Sequence, residues 1–147
     1  MAALLCGGFL SPVRAETIGI NIGTIEVPSG FHQERTGTKD SEMGVITSPR
    51  EMLTIYYDIG HMAGTRMYPG LQQDCLWYRE QIINGRQVIS GIMNKSGKKQ
   101  LVITIKEEIP RKGAFLAPAN FWADINKDED IAETLLVALS FAPRPGK

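Results

Sequence analysis

The sequence predicts an α+β domain in which an antiparallel sheet of about five or six strands carries a C-terminal helix packed on one face. Two observations support this fold class. Asn84-Gly85 joins the strand patterns Cys75–Ile83 and 86–93, and Asn-Gly is the preferred two-residue hairpin turn because both residues tolerate positive φ. The apolar residues of 128–139 recur at helical spacing. A sheet built mainly from hairpins and followed by one helix is therefore expected.

The N-terminal part of the domain predicts one strand and then less regular chain. In 17–27 the isoleucines change parity near Gly23, which indicates a single strand with a bulge or bend at that glycine. Pro28 is expected to end this strand. The segment 31–44 is polar and rich in Thr, Gly, Asp and Ser, so it predicts a strand remnant that passes into a loop.

A second hairpin is predicted where 45–47 and 52–58 flank the turn Ser48-Pro49-Arg50-Glu51. Ser48 and Glu51 also fit a helix capping box, but the strand formers at 54–57 favour the hairpin. A long glycine-bearing loop, 59–71, follows. The chain then continues into a three-stranded meander that 101–107 completes, because the apolar residues of this last segment alternate.

The C-terminal part predicts irregular chain and then the helix. From Pro110 to Asn126 the apolar residues follow no regular spacing, so irregular chain is predicted, and aromatic side chains there are available to cover the core. Asn126 and Glu129 form an expected capping pair, and the acidic first turn of the helix suits the positive end of its dipole. A loose tail is expected at 143–147.

The order of these elements, with hairpins preceding a late helix, is similar to the PsbP/Mog1-like α+β sandwich. The resemblance concerns architecture over the whole chain after residue 15. It implies a domain that serves in binding and assembly more often than in chemistry. No functional residue is carried over from it.

The first fifteen residues predict a removable secretion signal. Residues 2–10 are almost wholly apolar or small, and Val13 and Ala15 place small side chains where signal peptidase accepts them. We expect cleavage after Ala15, a single domain at 16–142 and a periplasmic or secreted location. The apolar run is far shorter than the roughly 20 residues of a membrane-spanning helix, so no transmembrane segment is expected after cleavage. The alternative is that 2–10 form a buried N-terminal strand or helix of the domain. No lysine or arginine precedes the apolar run, which a sequence that begins partway into the signal would explain.

Composition narrows the classes of partner. Lysine plus arginine balance aspartate plus glutamate at 16 each, so nucleic acid is not an expected partner. Removal of the signal takes Cys6 away and leaves Cys75 as the lone cysteine, which excludes an intrachain disulfide. No dinucleotide, phosphate-loop or hydrolase motif is present, and no cofactor is predicted.

Two constellations suggest chemistry in the sequence. Asp124, Asn126 and Asp128 have the spacing of a calcium loop, but the glycine and the bidentate carboxylate that such a loop needs are missing, and helix capping explains the same residues. Cys75 with His61 and Asp58 provides a thiol, an imidazole and a carboxylate for a small envelope enzyme. Two histidines and one cysteine also suggest zinc, but no close pair of ligands anchors such a site.

The best candidate binding site is the end of the strand that finishes at Asp58. Polar side chains at a sheet's rim, followed by a glycine-bearing loop, are a common setting for binding, although Asp58 is also able simply to cap that loop. We predict Asp58, His61, Arg66 and Tyr68 as binding residues. The aromatic residues of neighbouring strands either line a groove or pack in the core. The predicted function is a non-catalytic module that binds a protein or an envelope component.

Overall fold

The structure, a computed structural model, describes residues 14–37, 41–107 and 117–144. The predicted signal up to residue 13 and the last three residues lie outside this part. Within it the chain forms one α-helix, α1 (Asp128–Ser140), and short 3₁₀ helices at Pro49–Glu51 and Pro69–Asp74. The strands are β1 (Ala15–Ile20), β2 (Gly23–Pro28), β3 (His32–Gly37), β4 (Glu42–Thr47), β5 (Thr54–Ile59), β6 (Cys75–Ile83), β7 (Arg86–Lys95), β8 (Lys98–Glu107), β9 (Ala119–Ile125) and β10 (Ala142–Pro143).

These strands form two antiparallel sheets. The large sheet has seven strands in the order β3-β4-β5-β9-β8-β7-β6, and the small sheet has three in the order β1-β2-β10. The α+β class with a C-terminal helix is confirmed, but the expected single sheet of five or six strands is wrong. The count differs because β3 forms from polar sequence at the sheet edge and because β9 and the hairpin β1–β2 were not expected.

The segment predicted as one bent strand is instead the hairpin β1–β2, which turns at Asn21 and Ile22. Ile20 pairs with Gly23, so the change in isoleucine parity marks a reversal of the chain rather than a bulge. Gly23 has a different role. A Cβ atom there would lie 2.3 Å from the carbonyl oxygen of Ala142, so only glycine lets β10 pair with β2 at this point.

Strand β9 overturns the prediction of irregular chain before Asn126. It lies between β5 and β8, near the middle of the large sheet. Its odd-numbered residues Ala119, Phe121 and Ala123 are buried on the side of α1, while Asn120 and Trp122 point to the opposite side. The alternation is incomplete because the face opposite α1 carries Trp122 together with the polar Asn120 and Asp124, and Asn120 is buried.

The predicted meander and helix are confirmed. β6, β7 and β8 pair consecutively, and Asn84 and Gly85 both have positive φ, as the turn requires. The predicted capping pair of α1 is wrong. The carboxylate of Asp130 accepts hydrogen bonds from the backbone N–H groups of Asn126 (2.8 Å) and Lys127 (3.1 Å), because the third residue of a helix is able to reach back to its start.

The large sheet is covered on both faces. α1 and the small sheet enclose the main core on one face, where Tyr57 and Phe121 are the largest fully buried side chains. On the other face, called here the outer face, the segment 60–74 lies over a small second core of Met67, Ile89 and Val102. We call this segment the roof segment. It contains most of the predicted loop 59–71, although Ile59 is the last residue of β5, and its last six residues form a 3₁₀ helix.

The chain ends of the described part are held by backbone hydrogen bonds. The N–H of Ser29 donates to the carbonyl of Arg14, and the N–H of Arg144 donates to the carbonyl of Ile22, each at 2.8 Å. The first residue of the expected loose tail, Pro143, pairs with Gly23 in β2. In the described ranges, no helix has the length and apolar character needed to cross a membrane.

Candidate functional site

The roof segment is fixed to the outer face by the buried side chain of Asn120 in β9. Its amide nitrogen donates to the carbonyls of Asp58 (3.2 Å) and Gly64 (3.0 Å). Its amide oxygen accepts from the backbone N–H of Arg66 (3.1 Å) and from the hydroxyl of Thr104 (2.8 Å). All four hydrogen-bonding positions of this amide are therefore used, and two of them hold the roof segment, through the carbonyl of Gly64 and the N–H of Arg66.

Thr104 in β8 extends the same network. Besides donating to Asn120, its hydroxyl oxygen accepts from the backbone N–H of Met67 at 2.8 Å. Consecutive backbone amides, those of Arg66 and Met67, are thus bound by side chains from two neighbouring strands. Both side chains are fully buried, so water does not compete with these bonds. The backbone at Arg66 is consequently fixed relative to the sheet.

The network places the side chain of Arg66 over Trp122. The guanidinium carbon lies 3.8 Å from the centre of the indole ring, a close cation–π contact. Tyr56 stacks on Trp122 with ring centres 5.6 Å apart and planes within 12°. Asp58 lies 3.7 Å from the guanidinium and forms an ion pair with it. Two of the four predicted binding residues, Asp58 and Arg66, are therefore in contact.

Asp58 is unusual because it is only 6% exposed and one of its carboxylate oxygens, Oδ1, has no hydrogen-bond partner among the described residues. The predicted capping of the loop by this side chain is not what the structure shows. Its backbone carbonyl binds Asn120, while its other carboxylate oxygen faces Arg66. A buried carboxylate retained beside a guanidinium fixes both the position and the orientation of that cation.

A cleft of about 390 Å³ opens on the outer face beside Arg66, between the roof segment and the end of the β7–β8 hairpin. Its floor is apolar and consists of Leu71, Met93, Val102 and Trp122. Its mouth is polar and consists of Arg66, Asn94, Lys95 and Gln100. A volume in the range of roughly 300–1,000 Å³, an apolar floor and a few polar groups are the usual features of a small-molecule site.

The other two predicted binding residues do not line this cleft. His61 is exposed in the turn that follows β5, and Tyr68 is exposed just before the 3₁₀ helix of the roof segment. Tyr56 and Trp122 lie on the outer face. On the helix face, Tyr57 and Phe121 are core residues, whereas Trp77 lines a smaller cleft of about 190 Å³ near the start of α1.

Cys75 is partly buried and packs against the second core. Its thiol donates to the carbonyl of Leu71 at 3.3 Å, and a Cβ atom on Gly91 would lie 2.8 Å from the sulfur. Burial, with a smaller contribution from the neighbouring Asp74, raises the pKa of the Cys75 thiol. A nucleophilic cysteine needs the opposite shift, because the thiolate is the reactive form.

The residues of the calcium-like spacing are used elsewhere. Asp124 accepts a hydrogen bond from Gln100 at 3.2 Å and pairs with Lys98 at 3.5 Å. The backbone N–H of Asn126 donates to the carboxylate of Asp130 at 2.8 Å, at the start of the helix. Across the described ranges, no three His, Cys, Asp or Glu side chains lie close enough together to hold a metal ion.

Sequence reasoning missed most of the site because it missed β9. Once β9 is known to be a strand, Asn120 and Trp122 fall on one face, and Val102 and Thr104 fall beside them on β8. The pairing of Val102 with Trp122 and of Thr104 with Asn120 would then have indicated a mixed polar and aromatic surface. Comparisons with protein-family models, curated proteins and solved structures found no match for this chain.

Proposed function

We propose that the chain is an exported, non-catalytic binding module whose recognition surface is the cleft of the outer face and the roof segment beside it. One observation carries the proposal. Arg66 is held over Trp122 at the mouth of a 390 Å³ cleft by a buried network that fixes the backbone of the roof segment.

This arrangement suits recognition because the site is already formed. The Asn120 and Thr104 side chains hold the Arg66 and Met67 amides before any partner arrives. A partner therefore does not have to bear the conformational entropy of ordering the roof segment. The exposed Tyr56, stacked on Trp122, extends the surface beyond the cleft.

The environment of Cys75 supports a binding role over the enzymatic alternative. Its pKa is raised, and its sulfur is packed against the backbone at Gly91. Asp58, which the catalytic alternative needs as an orienting carboxylate, instead forms an ion pair with Arg66. A thiol in such surroundings behaves as a small apolar side chain.

The export part of the proposal rests on the sequence of the first fifteen residues and is compatible with the fold. Cleavage after Ala15 would remove the pairing of Ala15 with Pro28 and the hydrogen bond to the Arg14 carbonyl. The pairs from Glu16 to Ile20 would remain. The hairpin β1–β2 therefore keeps most of its ladder in the proposed mature chain.

Export is tested by expressing the full chain in a bacterial host and measuring the mass of the protein in the periplasmic fraction. The expected mass is that of a chain beginning at Glu16. The matched control is Ala15→Leu, which places a large side chain at the cleavage site and should leave uncleaved precursor. A full chain that keeps its first fifteen residues and stays in the cytoplasm would show that the export proposal is wrong.

The recognition surface is tested by site-specific photocrosslinking in cells of the source organism. A benzophenone amino acid replaces Tyr56 on the outer face in one variant and Leu136 on α1 in the other, since both positions are exposed. We expect an adduct at position 56 and none at position 136, and the adduct mass distinguishes a macromolecular partner from a small one. Equal adducts at both positions, or an adduct at 136 alone, would contradict the assignment of the outer face.

A further inference from the structure

Positive charge predominates around the cleft of the outer face. Two cationic side chains, Arg66 and Lys95, line the mouth, and no carboxylate is among the described residues that line the cleft. Asp58 neutralises part of the charge of Arg66 from behind, at 3.7 Å. Lys95 has no ion pair with any described residue, whereas Lys98 on the same hairpin is paired with Asp124. The net charge near the mouth is therefore that of a single cation.

The apolar and polar parts of the cleft are separated in space. Leu71, Met93 and Val102 belong to the second core or pack against it, so they present the deep part of the cleft. Asn94 and Lys95 lie at the exposed end of β7, next to the turn that leads into β8. A ligand that fills this space needs an apolar body on one side and an anionic group on the other.

We propose that the cleft binds a small amphipathic carboxylate, with the carboxylate between Lys95 and Arg66 and the apolar body on Leu71, Met93 and Val102. This inference rests on the proposed function and names the ligand class of that site. A single negative charge matches the net charge at the mouth, because Asp58 offsets one of the two cations. A volume of about 390 Å³ limits the apolar body to a short chain or a single ring system.

Binding is measurable through the fluorescence of Trp122. The chain has two tryptophans, and Trp77→Phe removes the one that lies on the other face of the sheet. The remaining Trp122 forms part of the cleft floor. Three compounds with the same chain length are titrated into this variant at pH 7: octanoate, octylamine and octanol.

We expect octanoate to change Trp122 emission saturably and to bind at least tenfold more tightly than octylamine or octanol. Lys95→Gln should weaken octanoate binding about tenfold and leave octanol binding unchanged, because it removes one charge-assisted interaction. Lys99→Gln is the matched control, since Lys99 is exposed on the same hairpin but lines the smaller cleft on the helix face. It should leave octanoate binding unchanged.

Different failures have different meanings. Octylamine or octanol binding as tightly as octanoate, or octanoate binding that Lys95→Gln does not weaken, would overturn the ligand class while leaving the cleft as a binding site. Absence of any saturable response to all three compounds would overturn the small-molecule site itself. The proposed function would then be decided by the crosslinking at position 56, which does not depend on these compounds.

Discussion

Removal of the Asn120 side chain should release the roof segment from the sheet and destabilise the whole domain. Asn120→Ala deletes four hydrogen bonds, and the chain retains the polar groups that made them, including the N–H of Arg66 and the carbonyls of Asp58 and Gly64. A buried hydrogen bond contributes about 1 kcal/mol net, so we expect a loss of about 4 kcal/mol in the free energy of unfolding. That is a large fraction of the roughly 5–15 kcal/mol of a typical domain.

The assay combines urea denaturation with hydrogen exchange of single amides. Asn120→Ala should lower the urea midpoint, and the amides of Arg66 and Met67 should lose protection before the rest of the sheet. Thr104→Val, which removes the bond to Asn120 and the bond from the N–H of Met67, should cost about half as much. Asn94→Ala is the matched control because Asn94 is exposed at the end of β7. A loss below about 1 kcal/mol for Asn120→Ala, with unchanged protection at both amides, would refute the role assigned to this network.

Three further predictions concern other parts of the domain. Gly44→Ala should lower the free energy of unfolding, measured in urea, by more than about 2 kcal/mol, since a Cβ there would lie 2.3 Å from the Tyr57 hydroxyl oxygen and 2.6 Å from a backbone carbonyl. Gly19→Ala has open space around the new Cβ and should lower it by less than about 1 kcal/mol. Equal losses for the two variants would contradict this reasoning. Burial raises the pKa of Tyr57 above its ordinary 10.0, so the stability linked to this phenol is complete below pH 10 and is lost as pH rises through the raised pKa. Tyr57→Phe should therefore be less stable at pH 7 but decline less steeply between pH 9 and 11, and parallel declines would refute the assignment. The thiol of Cys75 should react with iodoacetamide much more slowly in the folded protein than in urea at pH 8, and fast alkylation of the folded protein would revive the enzymatic alternative.

Local chemistry explains the elements that the sequence predicts well. The β6–β7 turn depends on two residues that tolerate positive φ, and α1 depends on apolar spacing and an acidic first turn, all within short stretches of chain. The same reasoning fails for β9. In the sequence Asn120 and Trp122 lie in a segment predicted to be irregular, and only the pairing of β9 with β5 and β8 shows that both belong to one covered face.

The helix start shows the same limit on a smaller scale. Asn126, Glu129 and Asp130 are all able to cap a helix, and sequence spacing favours the first two. The structure uses Asp130, which is buried and directed back toward the amides of Asn126 and Lys127. Which carboxylate turns inward depends on packing against the sheet, and that information is absent from the local sequence.

By itself the sequence determined the α+β class, the hairpin meander, the helix and the polar character of the segment after Asp58, because each follows from the chemistry of neighbouring residues. It also brought Asp58 and Arg66 into one candidate site. Only the tertiary structure decided that Trp122, Asn120 and Lys95 join them, since these residues are distant in the chain and meet through strand pairing and the packing of the roof segment. The cleft is a property of that pairing, because its floor and its mouth come from separate strands and from the segment that lies across them.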